Sequence, residues 1–328
     1  MPLGNDVSMK ILVTGAGGLL GGRIIESLLQ NGHEIVALSR SYPGSETWGK
    51  AVQVVNLDLN YQTDLHRYME GVTLVIHSAG MNAKDSMSDP ASALYFNGVI
   101  TAKLLSAAVA CCVKKFIYIS TAHVYAGNLQ GIINEKSPVT NLHPYATSHK
   151  AGEDIILFAN EQKKIQGTVL RLSNAFGYPV NDLANCWMLL VNDLCRQAII
   201  NGSLQLNSSG NQFRNFISIT EVCRVIKYLV EGPERASIYP LINVASKNVI
   251  SILEMAKLVQ ERAQILLGHK VSLLYPENNT NEFNEPFKLQ TFVLDQLGYS
   301  VSNEFADEID LLLKYCEVIF RKNNNHND

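Results

Sequence analysis

The chain has 328 residues, enough to bury a substantial core in one large or two modest domains. Charged residues make up 17%, against about 25% in typical domains, and hydrophobic residues 47%, which excludes a disordered chain. A net charge of −3 leaves no footprint for nucleic acid, and no apolar run approaches the ~18 residues of a membrane span.

The N-terminus, MPLGNDVSMK, is short and polar and has no basic-then-apolar signal pattern, so a cytoplasmic protein is expected. The six cysteines are dispersed in apolar contexts without a C-x-x-C pair, which suits reduced, buried thiols. Together with the eight histidines they show no ligand spacing, and no metal is expected.

Ile11, Leu12 and Val13 read as a buried strand, broken by Thr14 and Gly15. A periodic segment with Leu19, Ile24, Ile25, Leu28 and Leu29 follows and reads as a helix ending near Asn31 and Gly32. Gly15, Gly18 and Gly21 between them are spaced G-x-x-G-x-x-G. A strand, a glycine turn and a helix in that order form the context of a dinucleotide loop. One glycine makes the turn, one admits the pyrophosphate to backbone N–H groups such as that of Leu20, and one lets helix and strand pack. The phosphates then lie on the helix N-terminus.

HEIVALSR, Gln53 to Leu59, LVIHSAG and KFIYIS are the next strand-like runs. Asp64 to Met69, Leu94 to Ala110 and Tyr145 to Asn160 read as helical, and GTVLRLS as a further strand. This alternation predicts a doubly wound parallel sheet with ligand at the carboxyl ends of its strands. The second strand ends in Ser39 and Arg40, with no carboxylate for a ribose 2′-hydroxyl. Arg40 suits a 2′-phosphate, so NADP is favoured over NAD. Asp58, followed by Leu59, is placed to accept from an adenine amino group. Ser78, Ala79 and Gly80 end the fourth strand with small side chains beside the cofactor's path.

Beyond Leu172 the pattern is irregular. Ser173 to Pro179 and Gly202 to Asn215 read as loop and turns, flanking a helix over Asn185 to Asn201. FISI, a helix from Glu221 to Val230, LINVAS and a helix from Ile252 to Leu267 follow. A polar stretch, Glu277 to Glu285, precedes a last helix over Asn303 to Phe320 and a polar tail that reads as disordered. The expected division is a nucleotide-binding unit of residues 9–173 and about 214–245, a smaller α/β substrate unit of about 174–213 and 246–320, and a tail of 321–328.

Ser120 and Thr121 end the fifth strand, and Tyr145 opens a helix with His149 one turn on. Hydride transfer at an alcohol carbon needs a group to take or give the hydroxyl proton. A tyrosine does this when its pKa, about 10 unperturbed, is lowered by positive charge. A Ser or Thr hydroxyl can hold the substrate oxygen.

These motifs, taken in order, resemble the extended short-chain dehydrogenase/reductases of the nucleotide-sugar epimerase, reductase and dehydratase group. The resemblance runs from Lys10 to about Cys316. It rests on T-G-x-x-G-x-x-G at Thr14 to Gly21, Asp58, VIHSAG at Val75 to Gly80, and Asn97 in FNGVITAKLL. ISTAHVYAG, Tyr145, RLSNAFGYP at Arg171 to Pro179, FRNFI at Phe213 to Ile217 and INVAS at Ile242 to Ser246 complete it. The resemblance implies that Thr121 contacts the sugar oxygen, Tyr145 is the acid/base, and Asn97 is a structural and proton-relay residue. It implies that Asn174 and Arg214 hold the nucleotide diphosphate, with Asn82 and His123 also on the substrate side, in a homodimer.

Two departures matter. The family lysine four residues after the tyrosine is His149 here, and Lys150 is one position late. At 3.6 residues per turn His149 lies about 40° from Tyr145 and Lys150 about 140° away. His149 can bond the nicotinamide ribose, but near neutral pH it supplies less charge than lysine. The Asp-Glu pair of the family's dehydratases is Ala122 and His123, which argues against dehydration. Cys186 reads as a packed thiol. The expectation is an NADP-dependent nucleotide-sugar epimerase or keto-reductase, with a redox-inactive NADP-binding regulator as the alternative.

Overall fold

The computed structural model describes residues 8–42, 44–61, 64–232, 238–276 and 285–322. The polar stretch at 277–284, the tail at 323–328 and the first seven residues, all named above, lie outside the described residues.

In chain order the first half comprises β1 (Lys10–Thr14), α1 (Leu19–Leu29), β2 (Glu34–Ser39), β3 (Val52–Asn56), β4 (Leu74–His77), α2 (Ala83–Ser88), α3 (Pro90–Leu94), α4 (Thr101–Ala110), β5 (Lys115–Thr121), β6 (Ile132–Ile133), α5 (Pro144–Glu161) and β7 (Gln166–Leu172). The second half comprises β8 (Asn174–Phe176), α6 (Leu190–Asn201), β9 (Ser203–Gln205), β10 (Phe213–Ser218), α7 (Ile219–Glu231), β11 (Leu241–Val244), β12 (Val249–Ser251), α8 (Ile252–Leu267), β13 (Ser272–Leu274), β14 (Lys288–Leu289), α9 (Phe292–Leu297) and α10 (Phe305–Lys322).

Seven parallel strands form the large sheet in the order β11-β7-β5-β4-β1-β2-β3. This is the doubly wound, Rossmann-type arrangement, and its order reverses between β1 and β4. The period of two along β1 sends Ile11 and Val13 to one face and Leu12 to the other. Ile11 and Val13 pack with Ile24, Ile25 and Leu28 of α1 and with Val222, Val225 and Ile226 of α7. Leu12 packs on the opposite face with Leu104 of α4 and Ile156 of α5. A second unit, built on α6, α8 and α10, has its own core around Leu194, Met255 and Leu312.

Several expectations need correction. Ser173 to Pro179 contains a strand, because Asn174–Phe176 pairs in parallel with Phe216–Ser218. The Gly202 to Asn215 segment likewise contains β9, which pairs with β13. Residues 214–245 contribute to two sheets. Phe213–Ser218 joins β8 and β12 in a small sheet, with the Asn215 amide bonded to the carbonyls of Ser246 and Asn248, and α7 and β11 return to the large one. The helix expected from Asn185 starts at Leu190, and the helix expected over Asp64 to Met69 is one 3-10 turn at His66–Tyr68. The strand expected to reach Leu59 stops at Asn56, and Asp58 then closes a turn by accepting from Asn60 N at 3.0 Å.

Leu94 to Ala110 is not one regular helix, because a π-helical segment at Tyr95–Ile100 inserts into it. Contrary to the apolar-run expectation, Pro90–Ala110 is long and apolar enough to cross a membrane by length and composition, although half of that run is buried in the fold.

One buried cluster ties the two units together. Arg23 of α1 meets Glu308 of α10 at 2.9 Å, the carbonyl of Tyr178 at 3.1 Å and Thr220 Oγ1 at 2.7 Å. A Cβ at Gly177 would lie 2.3 Å from Glu308 Oε1, so that carboxylate fits only because position 177 has no side chain. The cluster holds α10 against the end of α1 that begins at the glycine turn.

Candidate active site

The turn after β1 is built around backbone contacts. Gly15 has φ +70°, and a Cβ there would lie 2.8 Å from Ala79 N. A Cβ at Gly21 would lie 2.2 Å from the carbonyl oxygen of Gly15, and Gly18 N donates to that same oxygen at 2.8 Å. α1 begins after Gly18 with no side-chain cap and no acidic residue in its first turn. The N–H groups there, including that of Leu20, are therefore left for an external acceptor, and an anion fits. This arrangement, facing the switch point between β1 and β4, fits a dinucleotide pyrophosphate.

The neighbouring strand ends complete that side. Thr14 Oγ1 accepts from Ala79 N at 3.1 Å, and Ser78 Oγ donates to the Thr14 carbonyl at 2.6 Å. Ser39 Oγ accepts from Tyr42 N at 3.2 Å, close beside Gly17. Arg40 is exposed at the end of β2, and Leu59 is buried just beyond Asp58.

On the other side of β4, Tyr145 and His149 share one face of α5. Their rings meet edge to face with centroids 4.6 Å apart. Burial pushes the pKa of the Tyr145 phenol up, against the weaker opposing pull of the nearby Thr121 hydroxyl at the end of β5, whose Oγ1 accepts from His123 N at 3.1 Å. His149 is 5% exposed, and burial, followed by the field of His123, lowers its pKa to about 4. It is a neutral ring above that pH. Lys150 lies on the solvent side of α5, paired with Asp154.

Asn97 stands behind this face. Its Oδ1 accepts from Met81 N at 2.8 Å, and its Nδ2 donates to Ser148 Oγ at 2.9 Å. Ser148 Oγ in turn donates to the Tyr145 carbonyl at 3.0 Å. Asn97 thus joins the loop after β4 to the first turn of α5, and the geometry makes it a positioning residue.

A cleft next to Tyr145 is lined by His123, Ser173, Asn174, Arg214 and Phe287. His123 Nε2 lies 3.4 Å from Asn174 Oδ1, and Asn174 Nδ2 donates to the Asn215 carbonyl at 2.8 Å. Burial lowers the His123 pKa, and the nearby Arg214 and His143 lower it further, against the Asn174 bond. Arg214 donates to the Phe213 carbonyl and to Gln212 Oε1.

Two of the expected site residues have other partners here. The Ser120 hydroxyl donates to Glu153 Oε1 at 2.6 Å, inside a buried pair that Glu153 makes with Arg171. Successive strand residues face opposite ways, so Thr121 reaches the site and Ser120 does not. Asn82 caps α2, accepting from Asp85 N at 2.9 Å while its Nδ2 bonds Asp85 Oδ2 at 2.7 Å. Cys186 is buried, with its thiol pushed up to about 11, which suits packing and not attack. The sequence reading missed Tyr118, Gly152, Ser148 and His77, all of which touch this polar cluster.

Comparisons with known proteins follow the same outline. The model of the NAD dependent epimerase/dehydratase family matches residues 11–245. The dTDP-D-glucose 4,6-dehydratase of Bos taurus is 29% identical over 271 residues, covering 77% of this chain and 72% of that protein. A putative UDP-glucose 4-epimerase of Methanocaldococcus jannaschii is 22% identical over 320 residues, 96% of this chain and 99% of the other. Among solved structures, UDP-glucuronic acid 4-epimerase from Bacillus cereus, in complex with UDP-glucuronic acid and NAD, superposes with a TM-score of 0.78 at 23% identity, covering 95% of this chain and 100% of that one. UDP-N-acetylglucosamine 4-epimerase from Methanobrevibacter ruminantium gives 0.80 at 21%, covering 96% and 99%.

The buried histidines make acid stability a test of this geometry. His149 is lowered to about 4, and His77, by burial and then by His149, to about 3. Unfolded histidines titrate near 6.5. Below that value the unfolded chain binds more protons than the native one, so stability falls with pH from about 6.5 toward the folded values. Urea unfolding is expected to show about 2 kcal/mol lost per histidine between about pH 7 and 5, with a shallower slope in His149→Asn.

Proposed function

The chain belongs to the NAD-dependent epimerase/dehydratase family and is an NAD(P)-dependent enzyme of the nucleotide-sugar group; from that premise we propose an NADP-dependent nucleotide-sugar epimerase or keto-reductase. The observation that carries the proposal is the placement of Tyr145, against His149 on α5 and close to Thr121, at the carboxyl edge of the sheet beside a cleft that contains Asn174 and Arg214.

The glycine turn and the start of α1 would hold the pyrophosphate, with Ser39 and Arg40 near the adenosine ribose. Support for NADP is the absence of a carboxylate at the end of β2 and the exposed guanidinium of Arg40. MoeE5 and the UDP-glucuronic acid 4-epimerase of Bacillus cereus hold NAD, so the proposed 2′-phosphate preference rests on those two features of this chain alone. Bound NADP supplies the acceptor and donor of hydride. Tyr145 takes the proton of the reacting sugar hydroxyl as the carbonyl forms, and returns one when it is reduced. Thr121 holds the sugar oxygen by donating its one proton to it as the carbonyl forms. His149, on the Gly80 side of Tyr145, is placed for the nicotinamide ribose. Arg214, a planar donor, and Asn174 serve the sugar's diphosphate. Ala122 and His123 directly after Thr121 supply no carboxylate for water loss. In epimerisation the keto sugar turns over before Tyr145 returns the proton, and in reduction the cofactor is consumed.

The neutral His149 favours one second reading, a redox-inactive NADP-binding regulator. Pairing as a homodimer is also part of the proposal, supported by Leu94, Val99 and Phe158, which are exposed on the α3-to-α5 side.

Nicotinamide absorbance, followed with a panel of nucleotide sugars, tests the function. Tyr145→Phe is expected to lower turnover about 10²- to 10⁴-fold with cofactor binding kept. Undiminished turnover in that variant, or no redox change with any sugar between about pH 6 and 10, would support the regulator. Arg40→Ala is expected to cut the NADP-over-NAD affinity ratio about 10- to 100-fold, measured by fluorescence titration.

A further inference from the structure

Tyr118 points from β5 toward α5 and is 1% exposed, and the proton transfers above leave it unused. Its hydroxyl lies 3.0 Å from His149 Nδ1 and 3.4 Å from the carbonyl oxygen of Asn97. Space for it comes from Gly152, three residues after His149 on the same face of α5. A Cβ at 152 would lie 2.7 Å from the Tyr118 hydroxyl and 2.7 Å from the Asn97 carbonyl. His77 covers the phenol's other face, its ring stacked at 5.6 Å. The phenol therefore sits between two imidazoles in a slot that no other residue at 152 would leave open.

A hydroxyl has one proton to give. The Asn97 carbonyl already accepts from Thr101 Oγ1 at 2.7 Å. The 3.0 Å contact to His149 Nδ1 is the shorter of the two open to Tyr118, and 3.4 Å lies outside the usual O–H···O range. With the Tyr118 proton on that shorter contact, Nδ1 is the acceptor. A neutral imidazole whose Nδ1 accepts carries its own proton on Nε2. That edge faces Gly80, where a Cβ would lie 3.7 Å from Nε2, at the carboxyl end of β4.

We propose that Tyr118 is a positioning residue that holds His149 as the Nε2–H tautomer, so that the ring presents a hydrogen-bond donor to the cofactor ribose. The tautomer stands on the protein's own hydrogen bonds, and the ribose as recipient rests on the function proposed above. Lysine needs no such partner, because every proton on its nitrogen is a donor. A histidine in its place presents a donor or an acceptor according to what binds its other nitrogen.

The test is a two-bond ¹H–¹⁵N spectrum of the full chain with labelled histidine at neutral pH, His149 being assigned with His149→Asn. The expected result is a pyridine-type Nδ1 and a pyrrole-type Nε2. Tyr118→Phe keeps the ring and removes the hydroxyl. It should give a mixture of tautomers and weaken NADP(H) binding about five- to tenfold, the size of one neutral hydrogen bond. Gly152→Ala, which crowds the same hydroxyl, should act in the same direction and serves if Tyr118→Phe does not fold. A pyrrole-type Nδ1 in the parent, or an unchanged tautomer in Tyr118→Phe, overturns the proposal. A lost tautomer with unchanged cofactor affinity overturns the ribose role. A parent with the expected tautomer that binds no NADP supports Tyr118's action on His149 and overturns the cofactor reading instead.

Discussion

An imidazole buried against the Tyr145 phenol is the constraint around which this site is arranged. His149 lies between Tyr145, edge to face at 4.6 Å, and Tyr118, bonded at 3.0 Å. Burial keeps the ring neutral, so the charge that would ordinarily favour a phenolate is missing from the α5 face. Arg171, buried behind the site, is bound at once by Glu153, so that pair contributes no net charge. The opposing influence on the Tyr145 phenol is the nearby Thr121 hydroxyl, and it is weaker than burial.

The fold delivers these groups through a few long-range ties. The parallel register of β5 against β7 and β4 places Thr121 at the sheet edge. Asn97, lifted out of regular helix by the π-helical segment, clamps the loop after β4 to the first turn of α5. A polar chain runs from Thr14 through His77 to Thr101 and the Asn97 carbonyl, joining the glycine turn to the tyrosine helix. Every member is buried and bonded, which is the condition under which a polar network rigidifies a core. On the other side, Arg23 and Glu308 hold the second unit against α1.

The local parts of this plan are legible in the sequence. A strand, a glycine turn and a helix are adjacent in the chain, and so are Tyr145 and His149 on one helical face. The position of Lys150, on the solvent side with Asp154, follows from helical geometry alone. Ser120 was readable by the alternation of a strand, and Asn82 by the Asn-x-x-Asp pattern of a helix start. Tyr118 and Gly152 were not. One reads as an apolar strand residue and the other as a weak point in a helix, and only their contact across 34 positions gives either a role. The π-helical segment escapes periodicity because an inserted residue shifts the phase without changing the composition. The strand at Asn174–Phe176 is too short to signal itself and exists because β10 pairs with it.

In the proposed reaction a neutral histidine stands where the family to which the chain belongs carries a cationic lysine. The measurement that tests it most directly is the pH dependence of turnover on one nucleotide sugar, for the parent and for His149→Lys. Parent turnover is expected to climb into the alkaline range, and the midpoint of the variant to move down by about one pH unit or more, with about tenfold faster turnover near pH 7. Superimposable profiles would contradict it, because the charge at position 149 would then have no part in activating Tyr145.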